Sequence, residues 1–403
     1  MVWSCSSGGD NSDSGSDGDA DTDTDSDGDT DSDSDTDADT DADTDSGLTA
    51  AEVAAELTLG WNLGNALDAP DGETSWGNPA VTQDLLNAVA AAGFNLVRIP
   101  VTWSMHMQDS SPYTVDVDFM ARVQEVVDYA LTAGMHAMIN IHHDGADNYE
   151  GVEWITLDGP YESVEERFVA LWQQIATQFQ DYDQRLLFES MNEIHDGYPS
   201  CNTVPQEDYD FINNLNQAFV DTVRASGGQN EGRILVMPGY NTNIDCTIDG
   251  FVAPIDTVAD RIAVDVHFYD PYNYTLAANS QTWGDETAPA GDSWAQQAWV
   301  NEAFDSLVTN FVSNNIPVFI GEYAVTYQEG YENYRRYYLE YVTKAAYDRD
   351  IVPIFWDNGG LNSGAENEGL FDRSDNSVAF PDIVEAMVRA VTSDYTIDDI
   401  EMP

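Results

Sequence analysis

Lysine is almost missing from this chain. Its 403 residues hold one, Lys344, beside twelve Arg, against 74 Asp and Glu, for a formal net charge of −61 at pH 7. A field of that sign repels phosphate backbones and anionic lipid, so nucleic acid and anionic membrane surfaces are set aside as partners. No apolar run reaches the ~18 residues of a membrane span, and no transmembrane segment is expected. No Gly-rich phosphate loop of the dinucleotide type opens the first helical segment. His-x-His, which a metallohydrolase barrel would want, is also absent, so neither a cofactor nor a catalytic metal is expected. Cysteine is scarce too, with three in all.

What is present divides sharply near Gly47. Seventeen Asp lie between Asp10 and Asp45, alternating with Ser, Thr, Gly and Ala and with no Lys or Arg. Such a tract has almost no apolar surface to offset the entropy of ordering, so residues 1–47 read as a disordered, solvated acidic linker. Asp25-Ser26-Asp27-Gly28-Asp29-Thr30-Asp31 also looks like an oxygen-rich calcium loop, but it has no bidentate Glu and no flanking helices, and the spacer reading is preferred. Without those seventeen, 57 acids face 13 bases, leaving −44 on the remainder. Repulsion at that density strains a compact state wherever the Debye length is long. The surface therefore reads as adapted to high salt, with a merely acidic secreted protein as the plainer alternative.

Cys201 and Cys246 fall in long loops after expected strands and would pair if the chain is exported; two unpaired loop thiols are the alternative. Cys5, ahead of the polar tract, resembles the acylated Cys of a lipoprotein that has lost its apolar signal. A cloning scar before a linker is the other reading. A secreted monomer, lipid-anchored at the cell surface if Cys5 is acylated, is the expectation.

Residues 48–403 alternate short apolar runs with longer amphipathic ones. The apolar runs are Leu57–Leu63, Leu96–Ile99, Ala137–Ile141, Leu186–Met191, Ile234–Met237, Ile262–Val266, Val318–Ile320 and Val352–Phe355. Helical patterns lie between them, except in the fifth connection, where only a short helix over Gly250–Val258 is expected. Eight buried strands, each leading to a helix, predict an α/β fold, the (β/α)8 TIM barrel. An open doubly wound sheet is the runner-up.

Polar and aromatic residues recur just past the apolar strand residues: Asn62 and Asn65, Arg98, His142 and His143, Asn192 and Glu193, His267 and Tyr269, Glu322 and Tyr323, Trp356 and Asp357. In a barrel these ends converge on one rim, where active sites are built. Glu193 follows the fourth strand and Glu322 the seventh, on opposite sides of the rim. Glycoside hydrolysis needs such a pair, one carboxyl protonated and one ionised, about 5 Å apart if configuration is retained. Glu189 shares the strand parity of Glu193 but sits deeper, where a carboxylate braces Arg98; Asp265 reads the same way beside His267. His142-His143-Asp144 makes a poor metal site if neighbouring His side chains point to opposite sides of a strand. Trp76, Trp103 and Trp154 lie in rim loops and either line sugar subsites or anchor their own loops.

Gly60-Trp61-Asn62-Leu63-Gly64-Asn65, Val97-Arg98-Ile99-Pro100, Asn140-Ile141-His142-His143-Asp144-Gly145, Met191-Asn192-Glu193, Asp265-Val266-His267-Phe268-Tyr269, Ile320-Gly321-Glu322 and Phe355-Trp356-Asp357-Asn358-Gly359 stand in this order. Together they resemble glycoside hydrolase family 5, endoglucanase type, over about Leu57–Phe371. The Asn-Glu pair is followed by Ile194-His195-Asp196, where family members often have Pro; this touches the loop and leaves the carboxylate in place. The resemblance implies a retaining endo-acting enzyme on β-1,4-glucan, cellulose-type or mixed-linkage. The same mechanism on xyloglucan, mannan or xylan is the alternative, and a non-catalytic carbohydrate-binding barrel or an acidic calcium-dependent surface protein are the readings of another class. It implies Glu193 as acid/base and Glu322 as nucleophile, with Arg98 keeping Glu322 ionised and negative charge raising Glu193. It implies Asn192 on the sugar 2-hydroxyl, and His142, His267 and Tyr269 orienting carboxylates and sugar. Trp356 would floor the reacting ring, with His143, Asn65 and Asp68 touching sugars further out.

Overall fold

The computed structural model describes residues 47–145, 151–197, 200–284 and 287–403. The aspartate tract, its calcium-loop alternative and Cys5 lie outside the described residues. Eight parallel strands close into a barrel in sequence order, with the last hydrogen-bonded to the first. They are β1 (Gly60–Leu63), β2 (Leu96–Ile99), β3 (His136–Ile139), β4 (Leu186–Glu189), β5 (Leu235–Pro238), β6 (Ile262–His267), β7 (Val318–Tyr323) and β8 (Ile351–Asp357).

Helix α1 (Ala50–Glu56) precedes the barrel, and α2 (Gln83–Ala91), α3 (Val117–Thr132), α4 (Tyr161–Gln178), α5 (Gln206–Ala225), α6 (Ile244–Gly250), α7 (Tyr272–Thr275), α8 (Gln297–Asn310), α9 (Glu332–Tyr347) and α10 (Pro381–Thr392) follow. Local chemistry sets their starts. Thr49 and Glu52 form a reciprocal capping box on α1, and Thr82 and Asp116 accept from first-turn amides of α2 and α3. Each such cap satisfies donors that the helix cannot. The short helix of the fifth connection is α6, which ends where the sequence pattern had it begin. Asn243 caps it from the loop, a signal that apolar periodicity does not carry.

Two apolar layers follow from the period-two alternation of the strands. Trp61, Val97, Ile139, Phe188, Val264 and Ile320 face outward into the layer under the helices. Leu96, Met138, Leu187, Val236, Ala263, Phe319 and Ile354 face the barrel axis, and Ala50, Val53 and Ala54 of α1 with Leu57 join this inner cluster. The same parity aims Asn62, Arg98, Glu189, Asp265 and His267 inward, above that apolar floor. No helix among the described residues is long and apolar enough to cross a membrane. Cys201 and Cys246 form a disulfide with Cα atoms 5.0 Å apart. It ties the segment after β4 to α6.

Candidate active site

At the C-terminal ends of the strands lies an open cleft of about 490 Å³. A larger groove of about 650 Å³ runs along α3 and α4, but it is lined by residues such as Tyr113, Val117 and Gln174 and holds no cluster of titratable groups. The chemistry is in the smaller space.

Arg98 is its organising residue. The guanidinium is fully buried, and all five of its N–H groups have acceptors. Nε and Nη2 grip both oxygens of Glu189 at 2.6 and 2.7 Å, Nη1 donates to Asn62 Oδ1 at 3.0 Å and to Glu322 Oε1 at 2.8 Å, and Nη2 donates to Asn192 Oδ1 at 2.8 Å. Glu189 is therefore the brace of Arg98. Because the Asn192 carbonyl oxygen is taken, its amide nitrogen is the group left to face the cleft. Asn140, which sequence reasoning passed over, adds a donor to Glu189 Oε1 at 3.3 Å.

Glu322 reaches the interior through a break in strand register. Val266 pairs with Ile320, but His267 pairs with Glu322, so β7 carries one extra residue there. Without it, Glu322 would share the parity of Ile320 and point toward the helices; bulges beside active sites re-aim side chains in this way. Gly321 occupies the extra position, where a Cβ would lie 2.2 Å from Asp265 Oδ1.

One oxygen of Glu193, one of Glu322 and a nitrogen of His267 lie within 4.8 Å of one another. His267 Nδ1 is 2.6 Å from Glu193 Oε1 and 3.6 Å from Glu322 Oε2, and Nε2 is 3.3 Å from Asp265 Oδ2. Burial works against a charged imidazole, but Glu322, Glu193 and Asp265 outweigh it and push His267 up to about 10. Tyr269 donates its hydroxyl to Glu322 Oε2 at 2.9 Å. Burial and the two carboxylates raise the Tyr269 phenol well above its usual range, so it stays a donor.

The carboxyl pair departs from expectation in the free protein. Burial pushes the Glu322 carboxyl up, with Glu193 adding to the rise, against the pull of His267 and Arg98. Burial also favours a neutral Glu193, but the 2.6 Å bond to His267 prevails and holds it below the ordinary value. The proton expected on Glu193 thus rests on its histidine partner.

The rest of the wall is mixed. His142 and His143 both line the cleft with ring centroids 4.5 Å apart, contrary to the strand-alternation argument. Their positions lie beyond the end of β3 at Ile139, where alternation no longer holds. The Asn140 amide meets His142 Nδ1 at 3.2 Å, which places the ring hydrogen on Nε2. His142 stacks 5.7 Å from Trp356 with 8° between planes, and the indole lies against Gly64, where a Cβ would be 2.7 Å from the ring. Asn65 and Trp76 line the cleft, Asn65 at φ 54° and Trp76 edge-on to His143.

Asp68 does not meet the cleft as expected. It is fully buried, its carboxylate accepts from the Asn65 and Ala66 amides at 2.9 and 2.6 Å, and burial pushes it up to about 6. Trp103 is also buried, donating to the Asn140 carbonyl, and Trp154 donates to Asp144 beneath Arg167. Both anchor loops. Tyr272, Asn358, Glu366 and Glu368 line the cleft without having been singled out. Asn358 directly follows β8, within a motif quoted for the family but with no role given to it, whereas Tyr272 opens the short α7 and Glu366 and Glu368 lie in the loop after β8, with no apolar run to mark their position.

Comparison with known proteins agrees with this geometry. The family model described as cellulase (glycosyl hydrolase family 5) matches residues 62–362. Endoglucanase A of Paenibacillus barcinonensis is 39% identical over 356 residues, covering 82% of this chain and 88% of the relative. Among solved structures, a GH5-4 broad specificity endoglucanase from Bacteroides salanitronis shares 42% identity with a TM-score of 0.81, covering 86% of this chain and 96% of that one. A family 5 xyloglucanase from Paenibacillus pabuli shares 37% identity with a TM-score of 0.79, covering 84% and 100%. The barrel, the paired carboxyls over a buried arginine and these likenesses together place the chain in glycosyl hydrolase family 5, as a glycoside hydrolase of cellulase type.

Proposed function

We propose that this protein is a retaining endo-β-1,4-glucanase in which Glu322 is the nucleophile and Glu193 the acid/base. The observation that carries the reading is the approach of Glu193 and Glu322 oxygens to within 4.8 Å. Retaining enzymes hold their carboxyl groups ~5–5.5 Å apart, while inverting ones leave ~6.5–9.5 Å for a water. The similar proteins are named for endoglucanase, broad-specificity and xyloglucanase activities, which supports a β-1,4-glucan backbone as substrate, including substituted chains in an open cleft.

Glu322, held by Arg98 and Tyr269, attacks the anomeric carbon as the glycosidic C–O bond breaks. The leaving oxygen takes a proton from Glu193, which Glu193 draws from His267 along their shared hydrogen bond. Asn192 offers its amide to the sugar 2-hydroxyl, and Trp356 lies under the ring. Once Glu322 is esterified its charge is gone, so Glu193 no longer faces a carboxylate. Already a carboxylate after giving up its proton, it takes a proton from water as the water oxygen bonds to the anomeric carbon and the ester bond to Glu322 breaks, which releases the sugar with its configuration retained. The disulfide supports an exported enzyme.

The test is the first product and its dependence on each carboxyl. Glu193→Gln and Glu322→Gln each lower kcat on soluble β-1,4-glucan by orders of magnitude with the fold intact. Azide rescues Glu322→Ala as an α-glycosyl azide and Glu193→Ala as a β-glycosyl azide. A first product of inverted configuration by NMR overturns the assignment.

A further inference from the structure

Tyr272 and Trp294 leave 62% and 55% of their surfaces in water, and among the described residues Trp294 is the one tryptophan exposed to that degree. Neither is a loose end. Tyr272 lines the catalytic cleft at the start of α7. Trp294 packs on Trp299 with ring centroids 5.4 Å apart and planes at 66°, an edge contact. Trp299 donates its indole N–H to Asp270 Oδ2 at 2.9 Å, two residues before Tyr272. A second tie runs from Asn273 Nδ2 to Asp292 Oδ1 at 2.9 Å, joining the residue after Tyr272 to the turn that carries Trp294. The two exposed rings thus ride on one braced segment that begins in the cleft wall, and the carboxylates beneath them, Asp270 and Asp292, are occupied as acceptors.

We propose that Tyr272 and Trp294 form an aromatic ledge that binds glucosyl units of the substrate chain beyond those held in the catalytic cleft. The proposal rests on the β-glucanase reading. A neutral polysaccharide gains nothing from the acidic field of this protein, so ring faces and hydrogen bonds must supply its binding. Exposed aromatic surface held rigid in advance serves that purpose, because little side-chain entropy is lost when a sugar face covers it. Continuity with the cleft through Tyr272 selects the substrate itself as the occupant.

The experiment compares kcat/KM on soluble high-polymer β-glucan with kcat/KM on an aryl β-cellobioside. It uses the full chain, Trp294→Ala, Trp294→Phe, Tyr272→Ala and, as a control on the exposed α6–β6 loop, Ile255→Ala. Trp294→Ala lowers the polymer-to-cellobioside ratio about three- to tenfold through KM, the worth of one aromatic contact, and Tyr272→Ala, which also removes part of the cleft wall, lowers kcat/KM on both substrates with the larger loss on the polymer. Trp294→Phe recovers most of the ratio, and Ile255→Ala keeps the wild-type value. A ratio unchanged in Trp294→Ala overturns the ledge, as does a loss in which both substrates suffer alike and Phe does not help. Failure of the wild-type protein to cleave either substrate overturns the β-glucanase reading and the ledge with it.

Discussion

Glu368 offers a quantitative test of the cleft's electrostatics that does not depend on turnover. Its side chain is 1% exposed, with Oε2 accepting from the Asn358 amide and Oε1 buried without a partner. Burial pushes this carboxyl up to about 8, with Glu366 and Asp357 adding to the rise and Arg335 opposing it, against an ordinary value of 4.5. Below pH 4.5 the group is protonated whether the chain is folded or not, so it contributes no pH dependence there. Between that value and about 8 the unfolded chain releases the proton and the folded one keeps it, so stability falls as pH rises. At ~1.36 kcal/mol per pH unit the full interval amounts to about 4–5 kcal/mol, an upper bound that relaxation reduces. Glu368→Gln removes the titration while its amide oxygen still accepts from Asn358. The variant and wild type should therefore melt together near pH 4.5, and the variant should gain steadily toward pH 8. With unfolding entropy near ~2.1 cal/mol/K per residue over some 360 residues, 4 kcal/mol is about 5 °C in Tm. Calorimetry of both proteins from pH 4.5 to 8.5 is the assay. Parallel Tm curves would refute the reasoning, since they require a carboxyl that ionises normally inside the cleft wall.

Two further outcomes follow. Arg98→Lys keeps a charge but loses the fork on Glu189, so it should cost roughly 3–5 kcal/mol of stability and at least about 100-fold in kcat; near-wild-type melting and turnover would show that Glu189 does not depend on the guanidinium. We also propose that the barrel is salt-adapted. Its Tm should rise from dilute buffer to molar NaCl, mostly below ~0.5 M, and a chain lacking residues 1–46 should follow the same curve, whereas a flat or falling curve ends that reading.

Much of the site was legible because each strand end is a local event. An apolar run stops, and the polar residue that follows sits on the rim whatever the rest of the chain does, which is how Arg98, Asn192, Glu193, His267 and Trp356 could be named in advance. The strand parity of Glu189 likewise sufficed to make it the brace of Arg98. Parity failed where the backbone leaves regular pairing. Glu322 faces the cleft because β7 carries an extra residue at Gly321, and His142 and His143 share a side because they lie past the end of β3. Composition cannot separate an Asp that meets sugar from one that closes a loop. The Asn65 and Ala66 amides claim Asp68, and the Asn140 carbonyl claims the Trp103 indole.

The sequence by itself determined the barrel, the order of its eight strands and the identity of the two facing carboxyl residues, since these depend on period and position along the chain. Only the tertiary structure decided where the protons rest. That depends on which groups approach within a few ångströms at low dielectric: the 2.6 Å contact of His267 with the half-buried Glu193, the 2.8 Å contact of Arg98 with Glu322, and the burial of Arg98, His267 and Glu322.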